Sequence, residues 1–423
     1  MDWLTVYPGL LRGSVTPPPS KSLAHRAILC AALAGGLSEI GPVQPSDDIR
    51  ATLGCACALG AEVKWRGNCV QVRGTGGKSA VQSARMDCGE SGSTLRFLVP
   101  LALALGVNAG FTGRGNLGKR PLSPYETICR AQGLGFQHPE DATLPLRVSG
   151  RLKSGKFTLP GDVSSQFVTG LLLALPLLEG DSEIEIQGAL QSRGYIDLTL
   201  SAMKAFGVEV ECPSEGRYRV PGGQSYRARD YQVEADFSQA AFFLCAGALG
   251  AQVDVLGLRR DSLQGDRAVI PMLRDLGALV EWKGEALSAR PGNMHGAVLD
   301  AAQCPDIMPE LALVAALCPG HSRIVNAARL RIKECDRLHA IAQELNRLGG
   351  KVVEFQDSLE IDGVEMLEGG VQADSFSDHR MAMMLAIASQ KCRLSISIRN
   401  PGCVSKSYPG FFDDFRSLGG TTE

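Results

Sequence analysis

The sequence predicts an α/β protein of six repeated units gathered into two similar domains. Three observations carry this. The 423-residue chain exceeds what one hydrophobic core normally supports, so two domains are expected, and 44% apolar content is ample to fill both. Helical patterns end in similar punctuation at intervals of roughly 70 residues. Leucine-rich and helical solenoids repeat at shorter periods, which leaves larger α/β units.

In chain order the marks are Leu59-Gly60-Ala61-Glu62-Val63, Leu134-Gly135, Phe206-Gly207-Val208-Glu209-Val210, Leu276-Gly277-Ala278-Leu279-Val280, Leu348-Gly349-Gly350-Lys351-Val352 and Leu418-Gly419-Gly420. Each Gly suits the left-handed cap that ends a helix, and in five of the six the β-branched residues that follow start a strand. Upstream of each mark lies an apolar helix rich in small residues, a short Gly turn and a strand, as in Ala31 to Ile40, Leu172 to Ile186, Leu244 to Val255 and Leu311 to Val325. Each unit therefore reads helix, strand, polar loop, helix, strand. Two groups of three such units give two similar domains with their polar loops turned towards one another.

Composition narrows the class of ligand. A formal net charge of −2 argues against nucleic acid as the main partner, so the cationic clusters serve a local site. The 13 cysteines are odd in number and irregular in spacing, which reads as free thiols in a reducing cytosol. Cys55 and Cys57 sit in the apolar stretch Ala51 to Leu59 with no partner at zinc-finger spacing, so no metal is expected. Met1-Asp2-Trp3-Leu4 lacks the basic and apolar regions of a secretory signal, and a cytoplasmic location is expected. The longest apolar stretch, Phe167 to Leu178, is interrupted by Thr169, Gly170 and Pro176 and is too short to span a bilayer, so it reads as a buried helix and no membrane partner is expected.

Two Gly motifs fail on context. Gly113-Arg114-Gly115-Asn116-Leu117-Gly118 has the dinucleotide spacing, but Lys119-Arg120-Pro121 follows where a helix should open. Gly77-Lys78-Ser79 resembles the end of a phosphate loop, but Val72 occupies the place of its first Gly. The informative polar residues are others. Lys21-Ser22, Arg26, Arg96, Lys119-Arg120, Ser164-Ser165-Gln166, Asp378-His379-Arg380 and Lys406 lie where polar loops meet apolar runs, several of them at expected helix starts that favour anions. If Arg331-Ile332-Lys333-Glu334-Cys335-Asp336-Arg337 starts a helix, Lys333 and Arg337 fall one turn apart with Glu334 beside them. A strongly anionic ligand follows, and a solvated salt-bridged face is the bland alternative.

Placed in order, these motifs resemble those of the enolpyruvyl transferase family, and within it the branch acting on shikimate 3-phosphate. The resemblance runs from Pro17 to Phe415. It rests on Pro19-Ser20-Lys21-Ser22-x-x-x-Arg26, Gly89-x-x-Gly92-Ser93-x-x-Arg96, Lys119-Arg120-Pro121, Gly161-Asp162-Val163-Ser164-Ser165-Gln166-Phe167, Ser192-x-x-Tyr195-Ile196-Asp197, Lys333-Glu334-x-Asp336-Arg337 and Asp378-His379-Arg380-Met381-Ala382-Met383. It implies two domains of three βαβαββ units each, an inside-out α/β barrel, with one domain at 1–16 plus 236–423, the other at 17–235, and the active site in the cleft between them. It also implies transfer of the enolpyruvyl group of phosphoenolpyruvate to the 5-hydroxyl of shikimate 3-phosphate with release of phosphate and with no cofactor; the sequence does not fix the oligomeric state, and a monomer is the expectation.

By the same resemblance Ser22, Arg26, Ser164, Ser165, Ser192, Tyr195 and Lys333 hold shikimate 3-phosphate, with Arg329 standing where some members place an Asn. Lys21, Arg120, Gln166, Arg337, Arg380 and Lys406 surround phosphoenolpyruvate, and Gly92 lets its backbone approach the ligand. Glu334 is the expected proton donor to the methylene carbon and Asp306 the group that handles the 5-hydroxyl proton, with Glu310 its rival and Lys21 or His379 able to share these roles. For His379 a structural histidine is the competing reading, and for Ser164 and Ser165 an N-cap only. Glu90, where many members carry Asn, receives no role. The sister enzymes acting on UDP-N-acetylglucosamine are the nearest rival, but they usually carry a Cys at the position of Gly115. A non-catalytic anion-binding scaffold would need neither Glu334 nor Asp306.

Overall fold

The computed structural model describes residues 2–79, 81–161, 164–188 and 190–423, so Asp162 and Val163 of the fourth motif lie outside the described residues. The chain forms two compact units, Met1–Pro18 with Glu234–Glu423, and Pro19–Val233. The crossings thus fall two residues from the expected boundaries of 16/17 and 235/236.

Each unit contains three copies of one pattern. Ser83–Asp87 runs parallel to Asn108–Thr112, with helix Gly92–Leu105 between them, and Asn108–Thr112 pairs antiparallel with Leu146–Ser149. Helix Ser123–Gln132 then leads into Gly135–Gln137 at the sheet edge, antiparallel to Leu146–Ser149. This βαβαββ unit, with its strands ordered first, second, fourth, third, recurs in five four-stranded sheets. Two sheets take their first strand from a distant part of the chain: Tyr231–Gln232, at the far end of the same unit, joins Gly35–Gly41, and Arg12–Val15, before the first crossing, joins Gln252–Val255 after the second. The sixth orders Val371–Asp374, Ile396–Arg399 and Trp3–Val6, and a bridge from Val6 to Thr422 stands for its fourth strand.

The helix following each first strand is apolar nearly all round and becomes the core. A helix hydrophobic on every face has to be enclosed by other elements, and every residue of Phe237–Ala248, Met308–Ala316 and His379–Ala388 is buried, the three packing on one another. In the other unit Gly92–Leu105 packs along Ser165–Ala174, and Phe97 meets the ring of His25 on Lys21–Leu33. Helices sit inside and sheets outside, each unit with its own apolar cluster. Phe167 to Leu178 is the buried helix the sequence suggested, ending in the 3-10 turn Leu175–Leu177. No helix among the described residues is long and apolar enough to cross a membrane.

Left-handed glycines end the second helices, with φ between 80° and 104° at Gly60, Gly207, Gly277, Gly349 and Gly419. In the second unit of the repeat the structure departs from the sequence reading. Helix Ser123–Gln132 is capped by Gly133 (φ 67°), and Gly135 already belongs to the next strand. Val208 to Val210 likewise precede their strand, which starts at Glu211. The helix expected over 331–337 is also corrected. Ala328–Ile332 is a 3-10 turn, and the α-helix begins at Arg337, because the Asp336 side chain accepts the His339 N–H (3.1 Å) and fixes the N-cap there.

Candidate active site

Asp306 lies in the 3-10 turn Pro305–Ile307 that leads into helix Met308–Ala316, and Asp378 caps helix His379–Ala388 by accepting the Arg380 N–H at 2.9 Å. Arg337, at the first position of its own helix and 1% exposed, reaches both. Its Nη1 donates to Asp306 Oδ1 (2.9 Å), its Nη2 to Glu334 Oε2 (2.7 Å) and its Nε to Asp378 Oδ2 (2.7 Å). Lys333 Nζ donates to the same Asp306 oxygen at 3.0 Å, Arg380 Nη2 stands 3.9 Å from the other, and Lys406 Nζ lies 3.7 Å from Glu334 Oε1. The correction at 331–337 therefore changes how these residues meet. Lys333, Arg337 and Arg380 meet Asp306, itself at a helix start, from a turn and two other helix starts instead of sharing one helical face.

Charge shapes this cluster. Burial alone raises the pKa of Asp306, but Lys333, Arg380 and Arg337 together hold it well below the usual carboxylate range. Burial lowers the Lys333 ammonium despite Asp306 beside it. Arg337 moves the other way, since three carboxylates outweigh its burial. Glu310, one turn beyond Asp306, has no exposed surface and neither carboxyl oxygen forms a hydrogen bond, so burial pushes its pKa up to about 8, with Arg380 opposing. The two rivals from the sequence thus stand in different settings: neighbouring cations favour the charged form of Asp306, and burial favours the protonated form of Glu310.

The unit Pro19–Val233 builds a second polar cluster. Lys21, the first residue of its helix, pairs with Asp48 at 2.7 Å. Ser91 caps helix Gly92–Leu105, and a Cβ built on Gly92 would lie 2.9 Å from Arg120 Nη1, 3.4 Å from Gln166 Oε1 and 3.5 Å from Arg96 Nη1. Gln166 bridges the others, accepting from Arg96 Nη1 (2.7 Å) and donating to Ser93 Oγ (2.9 Å), while Arg96 rests over the Phe167 ring. Ser164 caps helix Ser165–Ala174 through the Gln166 N–H. Ser192 precedes helix Arg193–Ala205 in the left-handed region at φ 55°, a conformation that costs a non-glycine residue roughly 1–3 kcal/mol.

Several expected binders are engaged with the protein itself. Arg26 is 2% exposed and braces three helices, donating to Ser22 O, Tyr195 O, Thr199 Oγ1 and Thr169 Oγ1. Arg380 holds Ser238 through Oγ (3.0 Å) and the carbonyl. His379 is buried with Nδ1 3.6 Å from Asp378 Oδ1. Arg329, in its 3-10 turn, is half-buried and acts on Lys333. Glu90 fills the space beside Gly115, where any Cβ would overlap its carboxyl group, so the structure supplies the neighbour the sequence left without a role.

Asp48 and Ser238 escaped the sequence reading. Asp48 was signalled by Ser46-Asp47-Asp48 before an apolar run, and Ser46 does cap that helix. Ser238 was signalled by the repeat. The first helices begin at Lys21, Gly92, Ser165, Phe237, Met308 and His379, and Ser238 stands at the Phe237 start as polar residues stand at the other five.

The EPSP synthase (3-phosphoshikimate 1-carboxyvinyltransferase) family model matches residues 7–415. A 3-phosphoshikimate 1-carboxyvinyltransferase of Clostridium botulinum is 48% identical over 425 residues, covering 99% of this chain and 98% of its own length. One from Clostridium beijerinckii is 49% identical over 429 residues at the same coverage. Among solved structures, the EPSP synthase of Acinetobacter baumannii matches with a TM-score of 0.82 at 26% identity, over 100% of this chain and 99% of its own. The enolpyruvyl transferase NikO of Streptomyces tendae shares the fold at a TM-score of 0.80 and 18% identity, over 100% and 98%. With a family model over nearly its whole length and relatives near half identity, the chain belongs to the EPSP synthase family of 3-phosphoshikimate 1-carboxyvinyltransferases.

Proposed function

We propose that the two clusters together carry out the family's reaction, moving the carboxyvinyl group of phosphoenolpyruvate onto the 5-hydroxyl of shikimate 3-phosphate. In the addition step the 5-hydroxyl oxygen bonds to C2 of phosphoenolpyruvate, its proton passes to Asp306, and Glu334 protonates the methylene carbon. In the elimination step that carbon returns a proton to Glu334, the C2–phosphate oxygen bond breaks, and the departing phosphate takes up the proton held by Asp306, so that both carboxyl groups end as they began. Lys21 and His379 stand ready to share the proton transfers. The observation that carries this reading is the joining of Asp306 and Glu334 to one buried guanidinium, which holds an acid and a base in fixed relation.

A carboxylate held far below its usual pKa is a weak base, and the ligands supply what it lacks. Phosphate and carboxylate groups drawn to Lys333, Arg337 and Arg380 offset the charge that depresses Asp306, so its basicity rises when substrate is bound. Lys21, Arg120, Gln166, Arg337, Arg380 and Lys406 form the phosphoenolpyruvate set, with Gly92 open for close approach. Ser22, Arg26, Ser164, Ser165, Ser192, Tyr195, Arg329 and Lys333 form the shikimate 3-phosphate set. The test is phosphate release from phosphoenolpyruvate with shikimate 3-phosphate as acceptor and UDP-N-acetylglucosamine as control. Release with the control alone would transfer the chain to the sister activity, and release with neither would leave an anion-binding scaffold.

A further inference from the structure

Within the unit Pro19–Val233, a line of four polar side chains runs through the buried core. His25 Nδ1 lies 2.7 Å from Thr52 Oγ1, Thr52 Oγ1 lies 2.6 Å from Thr94 Oγ1, and Thr94 Oγ1 donates to Ser91 Oγ at 2.7 Å. His25 is 1% exposed and the other three are not exposed at all. We propose that these four residues form a directed hydrogen-bond chain that positions the Gly92 turn for phosphoenolpyruvate, with His25 at its head as the neutral Nδ1–H tautomer. This rests on the reading of the Gly92 cluster as part of the phosphoenolpyruvate subsite.

The direction follows from counting protons. A hydroxyl has one proton to give, and that of Thr94 goes to Ser91, so Thr52 is the donor in the contact with Thr94. The proton of Thr52 is then spent, and its contact with His25 requires the ring Nδ1–H to donate. His25 Nε2 is buried without a hydrogen-bond partner, which suits a lone pair far better than an N–H of a charged ring. Burial takes the His25 pKa down to about 3; Asp48 raises it, and Lys21 and Arg26 lower it further, so the ring stays neutral through the physiological range.

At its other end the chain fixes the anion turn. Ser91 Oγ accepts from both the Thr94 N–H and hydroxyl, which leaves its own proton to give, and it immediately precedes Gly92 beside Arg120 and Gln166. The head is tied to the site as well. Lys21 and His25 are one turn apart on one helix and Asp48 and Thr52 one turn apart on the next, so Lys21–Asp48 (2.7 Å) and His25–Thr52 form two successive rungs. A buried polar chain of this kind gains little net stability over an apolar core of the same shape, and positioning the Lys21 and Gly92 elements is the return it offers.

Thr52→Val keeps the shape and removes the middle hydroxyl. It is expected to raise KM for phosphoenolpyruvate roughly tenfold while kcat and KM for shikimate 3-phosphate stay within about twofold. His25→Leu shares the defect, and His25→Asn, whose amide N–H replaces the ring Nδ1–H, restores KM. Nitrogen-15 spectra of histidine-labelled protein should show His25 protonated at Nδ1 and unprotonated at Nε2, without titration between pH 5 and 8. An Nε2–H tautomer in the wild type overturns the direction of the chain. An unchanged KM in Thr52→Val, or a joint fall in kcat, both affinities and melting temperature, overturns the positioning role. Wild-type protein inert towards both substrates would sink the subsite reading and the substrate half of this proposal together, while the tautomer would still decide the chain.

Discussion

Arg337 reaches Asp306, Glu334 and Asp378 with one guanidinium, and each carboxylate therefore depends on its neighbours for its charge state and direction. If Glu334 delivers a proton, Glu334→Gln keeps the size and the hydrogen bonding to Arg337 but not the chemistry. Turnover is then expected to fall by roughly a hundredfold to ten-thousandfold with both substrates still bound, as read by steady-state rates and by solvent deuterium exchange into the phosphoenolpyruvate methylene. Near-normal values of both would return Glu334 to a structural ion pair. Glu310 gives a second outcome. Its folded pKa is raised by burial from 4.5 to about 8, so between those values the folded chain holds a proton that the unfolded chain has released. Stability from this group is full below pH 4.5 and lost as pH rises to 8, a change on the order of 4–5 kcal/mol if it acted alone. Glu310→Gln removes that loss, so urea midpoints should show the variant gaining on the wild type from pH 5 to pH 8; parallel curves would mean that Glu310 is ionised in the folded protein. At this scale the sequence was partly legible. Lys333, Glu334, Asp336 and Arg337 were found by their types, whereas the burial that separates Asp306 from Glu310 and the engagement of Arg26 by four protein oxygens depend on packing that no spacing encodes.

Helix starts recur as the place where polar residues meet the core, because the first turn of every helix leaves backbone N–H groups to be satisfied. The repeat multiplies the effect. Six first helices, each buried and each preceded by a polar loop, give three such starts per unit, and the residues around Lys21, Gly92, Ser165, Asp306 and His379 occupy equivalent places in their units. Gly92 tests how tightly one of these starts is built. An alanine Cβ there would come to 2.9 Å from Arg120 Nη1, the far end of a flexible side chain, so the fold can accommodate it while the guanidinium moves. Gly92→Ala is expected to keep its melting temperature within a degree or two and to raise KM for phosphoenolpyruvate by roughly tenfold or more, in line with the cost of a small misplacement. A large loss of stability with unchanged KM would place the glycine in the fold instead of the site. The glycine punctuation made the elements readable because a left-handed helix end demands that residue. Where two glycines compete, as Gly133 and Gly135 do, or where an Asp can cap, as Asp336 does, the boundary depends on which local bond wins, and the sequence reading misplaced it.

The division of labour between the two units has a consequence for the whole molecule. Lys333, Arg337, Arg380 and Lys406 belong to the unit that holds both chain termini, while Lys21, Arg120 and Gln166 belong to Pro19–Val233. If both sets bind one phosphoenolpyruvate, as we propose, neither unit suffices alone. Lys21 is held by Asp48, and Lys333 and Arg337 by Asp306, so without ligand these cations already have carboxylate partners in their own units. On that proposal, ligand phosphates and carboxylates compete for them and add a charge that draws on the cations of both units. Small-angle scattering should therefore show a smaller radius of gyration with shikimate 3-phosphate plus a non-reacting phosphoenolpyruvate analogue than with either alone or with no ligand. The contraction should weaken as salt is raised, because screening reduces long-range attraction between charges. A radius that stays constant while calorimetry reports both ligands bound would mean that the units already stand in their working arrangement, and the carboxylate pairs within each cluster would then serve to set pKa values and not to hold cations in reserve.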